Sequence, residues 1–241
     1  MPTHQPKLYL LLSSLLWTPN AQSADQTISR ISTGIFYSQG QSQETALSHT
    51  TSFAIPYLIS IQHQRFYTAI SSYWAQLRAP TLTDNTFENS AGLGDLSLAI
   101  GYNLTKDGSW RFQVKEKFAT DDSEFSSGKN DTAFQLDYFS SPHPQRFMFY
   151  TLGYEWIGKV QALNMQNSLY SSIGLGQVLT SATTLSLSFD YFQSRYTELD
   201  DTFNLSLSAN YAFNSSWSIS GFSSYDTSNT YGIGASIVRT F

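Results

Sequence analysis

A histidine beside a serine is the least that a hydrolytic or acyl-transferring site requires, one group as general base and the other as nucleophile. Beyond the first two dozen residues the histidines are His49, His63 and His143, and only His49 has a serine next to it, Ser48. No enzyme signature surrounds that pair, and a histidine at the edge of a sheet is its ordinary reading. Without cysteine and with the histidines scattered, no zinc spacing exists. The acidic stretches Asp121-Asp122-Ser123-Glu124 and Glu198-Leu199-Asp200-Asp201 lack a calcium-loop pattern and read as solvated loops. The expectation is a protein that is not an enzyme and that carries no cofactor and no metal. The remaining ionisable groups are more ordered. Arg111, Gln113, Lys115 and Lys117 recur at every second residue, a spacing that places them on one face of a β-strand. Asp95, Gln135, Asp137, Glu155 and Asp190 take the same face of other segments. Opposite charges on neighbouring strands would line a polar interior, either closing it as a salt-bridged plug or leaving a charged constriction.

Such a face needs strands to carry it, and the composition says of what kind. Only 13% of the 241 residues are charged, with 15% aromatic and 41% hydrophobic. A soluble domain carries roughly a quarter charged residues, and the aromatic content excludes disorder. No window approaches the roughly 18 continuous apolar residues of a spanning helix. Alternation along strands hides apolar surface from such a window. Leu185, Leu187, Phe189 and Tyr191 oppose Ser186, Ser188 and Asp190. Phe203, Leu205, Leu207, Ala209, Tyr211 and Phe213 oppose Asn204, Ser206, Ser208 and Asn210.

The expected fold is all-β: a transmembrane antiparallel up-and-down β-barrel of about 12 strands. The expected strands are 28–38, 48–59, 65–77, 92–104, 109–119, 131–140, 146–157, 168–179, 183–193, 202–213, 216–225 and 230–241. An even count returns the chain to its starting side. Short connections at 60–64, 105–108, 141–145, 180–182 and 214–215 then alternate with mostly longer ones at 39–47, 78–91, 120–130, 158–167, 194–201 and 226–229. Lys106-Asp107-Gly108 and Pro142-His143-Pro144 supply breakers. Aromatic girdles are expected from Tyr102, Trp110, Tyr138, Tyr211 and Trp217 at the short-turn end and from Tyr37, Trp74, Trp156, Tyr225 and Tyr231 at the other. Glu116 shares the lipid-facing parity of Val114 and Phe118, so it is expected near the outer interface or beside a bulge, away from the costly midplane.

The ends fit export. Lys7 precedes the apolar run Leu8 to Trp17, Pro19 breaks it, and Ala21-Gln22-Ser23 supplies small residues for cleavage. Residues 1–23 read as a signal peptide and 24–241 as the barrel. Loss of Lys7 deepens the formal charge of -5 by one, an acidic balance that argues against a nucleic-acid partner. Phe241 closes a last segment in which Tyr231, Ile233, Ala235 and Ile237 share its parity, an aromatic ending similar to the assembly signal of bacterial outer-membrane barrels. Arg239 stands where that pattern has an apolar residue.

One segment is more specific. Residues 91–104, Ala-Gly-Leu-Gly-Asp followed by Leu-Ser-Leu-Ala-Ile-Gly-Tyr-Asn-Leu, resemble the outer-membrane "transporter" family linked with meta-pathway phenol degradation. Ile55-Pro56-Tyr57, Lys117-Phe118-Ala119-Thr120-Asp121-Asp122 and Ser127-Gly128-Lys129-Asn130-Asp131 are similar to further stretches of that family, with Ala119 replacing a proline and Asp121 a glycine. The similarity spans roughly residues 50–140. It implies a barrel of about twelve strands in the cell outer membrane and uptake of small hydrophobic or aromatic compounds. The expected partners are outer-membrane lipid and lipopolysaccharide, the barrel-assembly machinery and a small solute. The lumen candidates are Asp95, Arg111, Lys115, Lys117, Asp137, Glu155 and Asp190. Gly92 and Gly94 are expected to free the backbone where a loop enters a strand, leaving Asp95 solvated at the rim.

Overall fold

β-Branched and aromatic residues alternating with Ser, Asn and Gly favour extended chain, because each side of the pleat then has one kind of neighbour. The computed structural model describes residues 27–42, 45–80, 86–120, 128–159 and 164–241, and within these it is almost wholly strand. The expected signal segment lies outside the described residues. In chain order the strands are β1 (Thr27–Ser42), β2 (Thr45–His63), β3 (Phe66–Pro80), β4 (Phe87–Leu93), β5 (Leu96–Asn103), β6 (Trp110–Phe118) and β7 (Asp131–His143). They continue as β8 (Arg146–Trp156), β9 (Ser168–Val178), β10 (Thr183–Phe192), β11 (Thr202–Ala212), β12 (Trp217–Asp226) and β13 (Tyr231–Thr240).

Every neighbouring pair is antiparallel, and β1 pairs with both β2 and β13, so the sheet closes on itself. The two short strands β4 and β5 share one place in the wall. β4 pairs with Trp74 to Pro80 of β3 and β5 with Phe66 to Ser71, with Gly94 and Asp95 between them. The barrel therefore has twelve staves, one of them interrupted.

The boundaries shift in instructive places. The fourth strand, expected from residue 92, begins at Phe87, because β3 runs on to Pro80 and the Arg78 guanidinium lies 4.3 Å over the Phe87 ring. β1 and β2 likewise extend into the expected loop 39–47, with a register shift at Gln41 and Ser42. At the opposite end, Gln64 at φ 52° and Gly108 at φ 72° make tight turns. β7 continues past the expected stop to His143. The ladder skips between Ser140 and His143, where Pro142 has no amide hydrogen to donate.

The outward parity carries Ile35, Ile59, Ile70, Ile173, Leu205 and Ile233, all exposed. Such a continuous apolar surface needs a nonaqueous neighbour. Aromatics flank it at both ends. Trp110 and Tyr138 lie 4.7 Å apart at the short-turn end, and Tyr37 and Tyr231 6.4 Å apart at the long-loop end. Arg239 also faces out, its guanidinium 5.2 Å from the Trp217 ring and 4.5 Å from the Phe241 ring. Contact with these π faces suits a cation at the edge of the apolar belt.

Candidate functional site in the barrel interior

The interior has three kinds of wall rather than the evenly polar lining expected from alternation. On β1 to β3, inward positions hold Phe36, Ala54, Tyr73, Ala75 and Leu77, with Phe222 of β12 stacked on Phe36 at 5.7 Å. Leu58, Tyr67 and Ala69 form a second apolar group nearer the short-turn end, with Ala99 against it. On β10 to β13 the inward residues, Phe222 and Asp190 apart, are mostly small and polar. Ser186 and Ser208 bond across strands at 2.5 Å, and Ser220 donates to Asn210 at 2.8 Å. On β6 and β7 they are mostly long and polar or charged, with Asp95 and Glu155 at their flanks.

That charged wall contains two networks. Near the long-loop end Lys117 Nζ meets Asp95 at 3.4 Å and also Asp131. Arg195, from the connection between β10 and β11, reaches Asp131 at 3.7 Å and grips both oxygens of Glu155 at 2.8 Å. Asp131 also accepts the Gly158 amide at 2.9 Å, and Asp95 the Thr120 amide at 3.4 Å. Five alternating charges, from three strands, the interruption between β4 and β5, and a loop, thus form one chain. Asp95 is 0% exposed and Lys117 6% exposed, so their mutual attraction is little screened.

Closer to mid-barrel, Asp137 accepts from Gln113 at 2.5 Å, Gln135 at 2.6 Å and Thr151 at 2.8 Å. Gln135 in turn accepts from Lys115 at 2.5 Å and from the Tyr170 hydroxyl at 2.9 Å. Toward the short turns, Arg111 donates to Asn103 at 3.0 Å and Gln62 at 3.2 Å, and lies 4.8 Å over the Tyr67 ring. Asp190 sits apart on the hydroxylic wall, accepting from Ser172 at 2.5 Å and Asn204 at 2.9 Å.

All seven lumen candidates therefore face the interior, in three groups: Asp95, Lys117 and Glu155; Arg111, Lys115 and Asp137; and Asp190 alone. One expectation is corrected. Asp95 is not a solvated rim carboxylate, because the β3–β4 hairpin rises beyond it and the strand interruption turns it into the wall. Gly94 is needed for packing there: a Cβ would lie 2.1 Å from the Tyr73 ring, which covers it. Glu116 does face outward, close to the end of β6, where it accepts the Thr132 hydroxyl at 2.6 Å. Asp131 and Arg195 went unnoticed in the sequence. Asp131 shares the parity of Gln135 and Asp137 and was legible. Arg195 is a loop residue with no periodicity to mark it, its one signal being a lone cation before three acidic residues.

The loop that carries Arg195 is itself held. Met165 and Tyr196 form a β-bridge, Gln166 donates to the Arg195 carbonyl at 2.8 Å, and Asn164 donates to Glu198 at 2.7 Å. Asp201 accepts the Tyr191 hydroxyl at 2.7 Å and the Ser194 amide at 2.9 Å. Those bonds, the tyrosine's first, hold its carboxyl below the ordinary aspartate range. Among the described residues no group of three or more His, Asp or Glu is arranged to hold a metal ion. His63 and His143 lie at the short-turn end, bonded to Thr27 and to the Gln145 amide.

No family model and no curated protein matches the chain. Solved structures do. The COG4313 outer membrane channel from Pseudomonas putida F1 superposes with a TM-score of 0.69 at 14% identity, covering 92% of this chain and 98% of that one. The NanC porin gives 0.60 at 12% identity, with 85% and 98% covered. The P. putida toluene transporter TodX gives 0.51 at 8% identity, with 91% of each chain covered. At these identities the likeness is one of fold, and it defines the class: a closed antiparallel barrel of the outer-membrane type.

Proposed function

We propose that the chain is an outer-membrane channel for small molecules, with its long loops outward, related to the transporter family linked with meta-pathway phenol degradation. One observation carries this reading. The wall carries a belt of exposed apolar residues on its outer face, while its inner face holds buried ionisable side chains, and ionisable groups at membrane depth mark solute pathways by default. The inward Phe222, partly exposed and stacked on the buried Phe36, offers an apolar face to the lumen, which favours small hydrophobic or aromatic solutes. In that setting the outer belt meets lipid and lipopolysaccharide, and Phe241 serves as the signal read by the barrel-assembly machinery.

Purified protein in a planar bilayer should show discrete conductance steps, and cell fractionation should place it with outer membranes. Fractionation as a soluble periplasmic protein that folds without detergent would refute the reading. A closed structural barrel is the second reading. It is favoured by the salt-bridged chain from Asp95 to Glu155, with Arg195 bridging the wall at the long-loop end. It predicts a silent bilayer.

A further inference from the structure

We infer that Arg239 and the rings beside it form a binding site for the headgroup of an anionic phospholipid in the leaflet that meets the short-turn end. The inference rests on the outer belt meeting lipid and holds whether or not the lumen conducts. Arg239 is the residue that departs from the apolar ending expected of the last strand, and it is exposed on the outer face of β13. Its cross-strand partners are Trp217 of β12 on one side and Ile31 of β1 on the other. The guanidinium lies over the rings of both Trp217 and Phe241. Ring contacts occupy the flat faces of a guanidinium and leave its in-plane N–H fork for an acceptor. Among the described residues Arg239 has neither a carboxylate nor a hydrogen-bond acceptor, and the indole N–H of Trp217 has no acceptor either. The terminal carboxylate of Phe241 takes the Ser29 amide at 3.5 Å in the ladder to β1 and forms no ion pair with Arg239.

A phosphate diester fits this corner. Its two free oxygens match the fork of a guanidinium, and the indole N–H is a further donor. The body of the ligand follows from the wall above. Ile219 and Ile237 pair across β12 and β13 one outward position nearer mid-barrel, and both are exposed, as is Ile31 beside Arg239. Acyl chains can lie against these isoleucines while the phosphate meets Arg239. A free phosphate would gain nothing from them.

The charge of the rim selects the headgroup. Among the described residues at the short-turn end, Arg65, Lys106, Arg146 and Arg239 outnumber Asp107 and the terminal carboxylate. The long-loop end has no such surplus, since Glu88, Glu198, Asp200 and Asp201 are exposed there alongside Arg78, Lys129 and Lys159. Excess cations beside an apolar belt favour a headgroup that carries no cation of its own. Phosphatidylglycerol is therefore held ahead of phosphatidylethanolamine, whose ammonium offsets its phosphate.

The probes are these two lipids with the same acyl chains, added to the full-length protein in detergent micelles and counted as bound lipid by native mass spectrometry. The wild type should hold one phosphatidylglycerol at least about fivefold more tightly than phosphatidylethanolamine, the worth of one arginine near an anionic headgroup. Arg239→Gln should bring the ratio close to one. Trp217→Leu, which keeps the charge but removes a ring and the indole N–H, should lower it part of the way. Arg146→Gln, which removes a cation of the same rim that no ring holds, should keep most of the preference. Equal binding of the two lipids by wild type, or an unchanged ratio in Arg239→Gln, overturns the site. An equal loss in Arg146→Gln overturns it too, by assigning the preference to the rim as a whole. Displacement of the lipid by inorganic phosphate would overturn the lipid assignment. Should Arg239→Gln fail to show the heat-modifiable gel mobility of a folded barrel, the wild-type ratio and Trp217→Leu decide, an unchanged ratio in the latter overturning the site. A silent bilayer together with a strong phosphatidylglycerol preference would refute conduction and uphold the site. Conductance with no preference would do the reverse.

Discussion

The staves β5 to β8 and the staves β10 to β13 are made by the same alternation, yet they fill the barrel differently. In the first group β6 and β7 send Arg111, Gln113, Lys117, Gln135 and Asp137 inward, and all are buried and held by hydrogen bonds or ion pairs. The second, Asp190 and Phe222 apart, sends in mostly serine, threonine and asparagine, whose side chains reach little farther than the next strand, as Ser186 reaches Ser208. One wall is therefore a lattice of long side chains occupying lumen volume, and the other is a thin hydroxylic lining that leaves volume free. A solute crossing the barrel would run along the serine wall with the charged wall opposite. Stability should concentrate in the charged wall and passage along the serine wall.

The sharpest way to break this contrast is to remove Lys117. Lys117→Met would leave Asp95 and Asp131 buried side by side without their shared cation, at a cost of about 3–5 kcal/mol. The check is the urea midpoint in micelles, and a change comparable to a serine substitution would mean that the two walls matter equally. Next comes Gly153, over which Tyr170 lies so closely that a Cβ would be 2.0 Å from its ring. Gly153→Val should displace Tyr170 and with it the bond to Gln135, costing about 1–3 kcal/mol by the same measurement. Arg195→Ala should release the 193–201 connection from Glu155 and Asp131. Faster proteolysis of that loop and a larger single-channel conductance are expected; an unchanged conductance would remove Arg195 from the mouth of the path. On the other wall, Ser208→Ala should cost only about 0.5 kcal/mol.

The smallest effect is a pH response. The Asp201 carboxyl is held below its ordinary value, so its contribution is complete above that value and lost as pH falls through the depressed one. Loop proteolysis should stay constant through mildly acidic pH and rise only below the usual aspartate range, and Asp201→Asn should abolish the step.

Direction was legible in the sequence where chemistry was not. Alternation shows which way Lys115 or Glu155 points, since a strand offers only two choices. It does not show that Glu155 meets a loop arginine forty positions on, because Arg195 obeys no period. The apolar lining on β1 to β3 was hidden for another reason. Ala54, Ala75 and Leu58 alternate with larger apolar residues such as Ile55 and Ile59, so both faces score as hydrophobic and neither reads as interior. The interrupted stave was half visible. The segment around Gly94 marked an irregularity, but the length of β3 beyond it depends on pairing with Phe87 to Leu93, a long-range fact no local pattern contains.

The seam offers a last consequence. Phe241 donates its amide to the Ser29 carbonyl at 2.9 Å, beside the ladder in which β1 meets β13. Every other stave pairs with a near neighbour in sequence and can form as a hairpin, but this joint unites the two ends of the described chain. Its loop-closure cost falls due in a single step, with β1 and β13 presenting unpaired edges until then. Closure is thus the slow, aggregation-exposed event of assembly. A substitution at the seam would show itself in the rate of folding long before it altered the finished barrel.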